Sequence, residues 1–148
     1  MKTLFTTEEE ATYEEAFKRL GYKILTWETF GSWQGDYAAI LEKDGKLGFV
    51  VIGYGSCSGC DSLEAVGWFF YSYPDENYNK VLELDKDLRR LLHEIEKEIV
   101  WGTPSELVRK ILVGNKWSSG GIHWYKGDEG YLESRKALVT AVLGWQSE

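Results

Sequence analysis

Apolar residues recur at helical spacing at Tyr13, Ala16, Phe17 and Leu20, which predicts a first helix with one buried stripe. Thr6 or Thr7 is placed to cap it. Glu8, Glu9 and Glu10 then fall in the first turn and Lys18 and Arg19 in the last, as the helix dipole favours, and Gly21 supplies the stop. From Tyr22 onward the pattern changes to β structure. Tyr22–Phe30, Tyr37–Lys43 and Lys46–Tyr54 are rich in β-branched and aromatic residues and are separated by two turns. The first turn is the glycine-punctuated Gly31–Asp36 (GSWQGD). The second is Asp44-Gly45, a dipeptide whose two positions both tolerate positive φ. The continuous apolar centre of Lys46–Tyr54 marks a central, well-covered strand.

Gly55–Cys60 (GSCSGC) reads as a loop, and Asp61 with Glu64 has the spacing of a helix start. Leu63, Val66, Phe69 and Phe70 would face inward, although Trp68–Tyr73 also fits an extended chain. Pro74–Asn79 is a turn-rich connector. A helix over Asp85–Trp101 follows from the stripe Leu88, Leu91, Leu92, Ile95 and Ile99. Thr103-Pro104-Ser105-Glu106 is a capping box with proline at the first helical position, so another helix runs to Val113 and stops at Gly114. Trp117–Gly121 reads as a loop and Ile122–Lys126 as a short strand able to extend the sheet. Gly127–Gly130 is a turn and Tyr131–Leu143 a last helix. Repeats, low-complexity runs and an interdomain linker are absent from the sequence. The expectation is one α+β domain over residues 1–148: an antiparallel three- to four-stranded meander packed against several helices, in the order α-β-β-β-α-α-α-β-α.

Composition narrows the function classes. The 148 residues carry 17 Lys+Arg against 24 Asp+Glu, a net charge of −7. That balance argues against direct nucleic-acid binding, because neutralising phosphates needs clustered cations. No apolar run reaches the length of a bilayer span, so no membrane partner is expected. Met1–Glu10 lacks an apolar signal core, which points to the cytoplasm and to cysteines that begin as reduced thiols. Aromatic residues reach 15%, with seven Trp, nine Tyr and six Phe against two Pro and one Met. Such an excess suits a rigid core plus a stacking surface.

The segment Gly53–Asp61 (GYGSCSGCD) holds the most informative chemistry, for it leaves a buried strand and enters a helix start where amides and dipole favour anions and thiolates. Four readings of it stay open. Cys57-x-x-Cys60 has the spacing of a dithiol redox centre, but a thioredoxin-like domain would carry that motif after the first strand of a βαβ unit. Cys57 and Cys60 with His93 and His123 would supply four zinc ligands, but the histidines are not the closely spaced pair of a zinc finger. A cysteine nucleophile with His123 as base lacks a local signature, and neither Ser56 nor Ser58 sits in a nucleophile elbow. Last, both cysteines serve as small buried hydrophobes under a tight glycine loop, the reading that weighs most on residue statistics. No cofactor is therefore assigned, and zinc stays the weaker option.

A meander brings the Gly31–Asp36 turn and the cysteine loop to one edge of the sheet, because strand one runs toward the turn, strand two away and strand three back. The candidate binding set is thus Trp33, Gln34 and Asp36 from the turn with Ser56, Cys57, Ser58, Gly59, Cys60 and Asp61 from the loop. Trp33 would stack, Gln34 and Asp36 would hydrogen-bond, and the loop amides would hold an anion. Against this, Trp33 also suits a plain hydrophobic plug over the sheet end.

The pairing of GSWQGD with GYGSCSGCD, spanning Trp27 to Asp61, resembles a group of small phage and bacterial proteins that carry a GSCSGCD stretch after an apolar strand and have no assigned activity. The resemblance implies a small acidic accessory protein of the host cytoplasm. Such a protein would bind a host protein or a small ligand, for instance as an inhibitor of host defence. The acidic face of helix one would suit a basic partner. A thiol-dependent redox protein or small enzyme using Cys57 and Cys60 is the alternative.

Overall fold

The computed structural model describes residues 3–6, 9–31, 35–54, 78–113 and 131–145. Within them the fold is α+β, a four-stranded antiparallel sheet with helices on both faces. The first helix, α1 (Tyr13–Arg19), is followed by β1 (Lys23–Gly31), β2 (Gly35–Lys43) and β3 (Lys46–Tyr54). Then come α2 (Tyr78–Glu96), β4 (Val100–Trp101), α3 (Pro104–Val113) and α4 (Tyr131–Leu143). The sheet order is β1-β2-β3-β4, and Asp44 and Gly45 both take positive φ at the hairpin between β2 and β3, as their dipeptide requires.

Cross-strand register assigns the two faces. Ala39, Leu41, Val50 and Ile52 pack with Tyr13, Ala16 and Phe17 of α1 and with Leu88, Leu92 and Ile95 of α2. Ala38, Ile40, Leu47 and Phe49 pack on the other side with Leu107 and Ile111 of α3 and Leu138 and Val142 of α4. Helices on both sides explain why β3 reads as a continuous apolar run rather than an alternating one. A register shift in β1 between Ile24 and Thr26 is a bulge that sends Leu25 to the α3–α4 side.

The helix ends show which local signals win. α1 is capped by Thr12, whose side chain accepts from the Glu15 amide, and not by Thr6 or Thr7. Thr6 and Glu9 instead form a separate turn, the Thr6 amide donating to Glu9 Oε1 at 2.9 Å and the Glu9 amide to the Thr6 carbonyl at 3.1 Å. The other end follows expectation. Gly21 at φ +98° lets the Tyr22 amide reach the Phe17 carbonyl and its own amide reach Lys18, and the Tyr22 ring meets Phe17 edge-on at 5.3 Å.

α2 begins at Tyr78 rather than Asp85 and stops at Glu96, five residues short of the helix that periodicity extends to Trp101. Val100 and Trp101 pair with Phe49 and Gly48 as the fourth strand. Ile99 just before it is buried, and the Trp101 ring, itself partly exposed, lies over Gly48. Thr103 and Glu106 form the expected capping box of α3, the Glu106 amide donating to Thr103 Oγ1 and the hydroxyl to Glu106 Oε1. The helix expected after Asp61 and the strand expected at Ile122–Lys126 lie outside the described residues.

Candidate functional site

At one end of the sheet the β1–β2 hairpin closes through the pair Gly31 and Gly35, and Gly35 also pairs with Tyr54 at the end of β3. Only glycine fits at position 35, because a β-carbon there would stand 1.9 Å from the Phe30 carbonyl oxygen. The segment with Trp33 and Gln34 springs from these two glycines. The one with Ser56, Cys57, Ser58, Gly59, Cys60 and Asp61 follows Tyr54 directly in the chain. Both therefore leave the sheet from the same rim, while their own residues, like His123, lie outside the described residues.

Asp36 is the candidate residue that the structure places at this rim. It pairs with Phe30 on one side and Gly53 on the other, and it is wholly buried. Its side chain is therefore taken out of water beside the turn rather than solvated, a placement that is costly for a carboxylate. Gly53 lies opposite, where a β-carbon would meet Asp36 Oδ1 in ordinary contact at 3.7 Å.

On the other face of the same rim stands a row of aromatic rings across three strands. Tyr37 of β2 stacks on Tyr54 of β3 with ring centroids 4.5 Å apart, and Trp27 of β1 lies 5.4 Å from Tyr37. Tyr13 of α1 meets Tyr37 edge-on at 6.2 Å and closes the row from behind. Trp27, Tyr37 and Tyr54 remain partly exposed, unlike the buried Tyr13. The Tyr54 hydroxyl donates to the Phe30 carbonyl at 3.4 Å. Burial pushes its pKa up, and the charges of Tyr37 and Asp36 act in the same direction. Such a row can stack on planar or apolar groups and offers hydroxyls at its edge.

Tyr37 and Tyr54 are the site residues that motif reading passes over. The signal was present in the spacing: each lies next to a rim turn, and antiparallel register sets Tyr37 opposite Ile52, two residues from Tyr54 on the same face.

The remaining candidates stand apart. His93 is exposed on α2, with Nδ1 4.0 Å from Glu96 Oε1. Among the described residues no group of three or more His, Cys, Asp or Glu side chains is placed to hold a metal ion. Three acids of α1 and the turn before it, Glu9, Glu14 and Glu15, form ion pairs within the chain. Arg19 binds Glu9 and Glu15, and Lys18 pairs with Glu14.

Comparison with protein-family models, with curated proteins and with solved structures finds no match to this chain.

Proposed function

We propose that this chain is a binding protein, of the phage-accessory type its glycine-cysteine loop resembles, which takes up a host protein or a small ligand at the hairpin rim. The observation that carries the reading is the partly exposed row Trp27–Tyr37–Tyr54, which crosses three strands on the sheet face opposite the buried Asp36 and ends at Tyr54, where β3 gives way to the glycine-cysteine segment. Aromatic rings held on adjacent strands lose little conformational freedom on binding, and rings of this kind carry much of the energy at interfaces.

The test compares partner or ligand capture by the wild-type chain, Tyr54→Ala and Tyr54→Phe, with melting temperature as control. Capture should fall at least about tenfold in Tyr54→Ala, since truncating an aromatic anchor typically removes 1.4 kcal/mol or more. Tyr54→Phe keeps the ring and should retain capture. Equal capture by Tyr54→Ala would overturn the proposal, and loss confined to Cys57→Ala/Cys60→Ala would replace it with the thiol-dependent reading.

A further inference from the structure

The outer side of β1 carries backbone groups that no strand among the described residues pairs. The Gly102 amide donates to the Leu47 carbonyl at 3.2 Å, so odd-numbered residues of β3 point their backbone groups toward β4 and even-numbered ones toward β2. The register carries this alternation across the sheet. Ala38 and Ile40 of β2 then bond to Glu28 and Thr26, and the amides and carbonyls of Trp27 and Thr29 turn outward. The end of the strand agrees, for the Phe30 carbonyl points inward over Gly35. Burial marks the same edge: every residue of β1 but Phe30 retains exposure, whereas β2 beside it is mostly buried. The regular stretch is short, bounded by the bulge between Ile24 and Thr26 and by Gly31 at φ +98°.

An outward amide and carbonyl on Trp27, repeated on Thr29 about 7 Å along the strand, match the backbone of an extended chain. The side chains flanking these groups define what that chain would carry. Trp27 lies on the α1 face, where it begins the row that runs through Tyr37 to Tyr54. Glu28 lies on the α3–α4 face, accepts from the Thr26 hydroxyl at 2.7 Å and forms no ion pair among the described residues. A chain paired here places alternate residues on these two faces. We propose that β1 receives an extended segment of a partner protein as a fifth strand, with an apolar residue against Trp27 and a lysine or arginine beside Glu28. This rests on the binding reading of the rim and narrows its partner to a protein, whose basic residues suit a chain of net charge −7. No described residue has to move aside to admit it.

Amide hydrogen exchange on the full chain reads the edge directly. Trp27 and Thr29 should exchange at least about tenfold faster than Glu28 between them, whose amide lies in the ladder. A fluorescent peptide of alternating valine and lysine is the probe. It should bind, as read by anisotropy, and at saturation slow the Trp27 and Thr29 amides about tenfold or more. A valine–glutamate peptide, or the valine–lysine peptide methylated on its valine amides, should bind at least about tenfold more weakly. Thr29→Pro should weaken the peptide to the same degree at an unchanged melting temperature, because proline there removes only an outward amide. Equal protection of Trp27, Glu28 and Thr29 in the free chain, equal binding of the methylated peptide, or no binding of the unmodified one would overturn the added strand. None of these three depends on Thr29→Pro folding. Binding kept by Thr29→Pro and lost by Tyr54→Ala would overturn the added strand and leave the rim reading standing; binding indifferent to both would overturn the two together.

Discussion

At Gly48 a β-carbon would stand 2.7 Å from Ile99 Cγ2 and 3.0 Å from two atoms of the Trp101 ring. The missing side chain thus gives the indole a flat seat, where it also lies nearly parallel to Tyr22 at 6.4 Å. Gly48→Ala must push β4 outward, because Ile99 is buried and cannot give way toward solvent. Overpacking of this kind typically destabilises by about 1–3 kcal/mol. Thermal unfolding should therefore come at a lower temperature, with a red-shifted tryptophan emission as the indole loses its seat; an unchanged melting temperature would contradict the seating. Asp36 illustrates the opposite case at this scale. Its identity was legible as a turn residue, whereas its complete burial was not, since burial depends on what Phe30 and Gly53 bring from neighbouring strands.

Among the elements, α1 turns on a choice among equivalent local signals, because Thr-x-x-Glu occurs at Thr6–Glu9, at Thr7–Glu10 and again at Thr12–Glu15. The sequence pattern favours the earlier start. The later start is the one found, with Thr12 accepting from the Glu15 amide, while the residues ahead are held outside the helix, Phe5 in the core and Leu4 by Asp85 and Arg19. Thr12→Ala should therefore destabilise the fold by about 1 kcal/mol through loss of the cap. Thr6→Ala should leave the helical content intact, since Thr6 lies ahead of α1 and alanine keeps the amide and carbonyl that form the Glu9 turn. Circular dichroism during denaturant unfolding distinguishes the two, and a larger effect at Thr6 would reverse the assignment. The same limit of local reading appears at Glu96. Periodicity carries α2 on through Ile99, and only the nonlocal pairing of Val100–Trp101 with β3 ends it. The meander was legible because turns and strand pattern agree over consecutive residues, and the common rim of the two candidate segments followed from it. The row of Trp27, Tyr37 and Tyr54 needed the register as well.

For the molecule as a whole, the pole opposite the hairpin rim binds the layers together through Tyr22. Its ring packs against Phe17 and Trp101, Lys43 Nζ lies 4.3 Å above it, and its hydroxyl donates to Glu96 Oε2 at the end of α2. One side chain therefore joins α1, the start of β1, the ends of β2 and β4 and the end of α2. Burial, chiefly, and the Glu96 carboxylate that would repel a phenolate push the Tyr22 pKa well above its ordinary value of 10.0. The unfolded chain then releases this proton more readily than the folded one. The stabilisation is fully present below pH 10 and is lost as the pH rises from there toward the folded-state value. Stability measured by denaturant unfolding should fall with rising alkalinity above pH 10, and Tyr22→Phe should flatten that fall because it keeps the ring and removes the proton. The substitution should also lower stability at neutral pH, by the loss of one hydrogen bond to a charged acceptor, about 1.5–3 kcal/mol. An alkaline slope identical in wild type and Tyr22→Phe would mean that the layers separate through other groups and that the Tyr22 pole does not govern the cohesion of the fold.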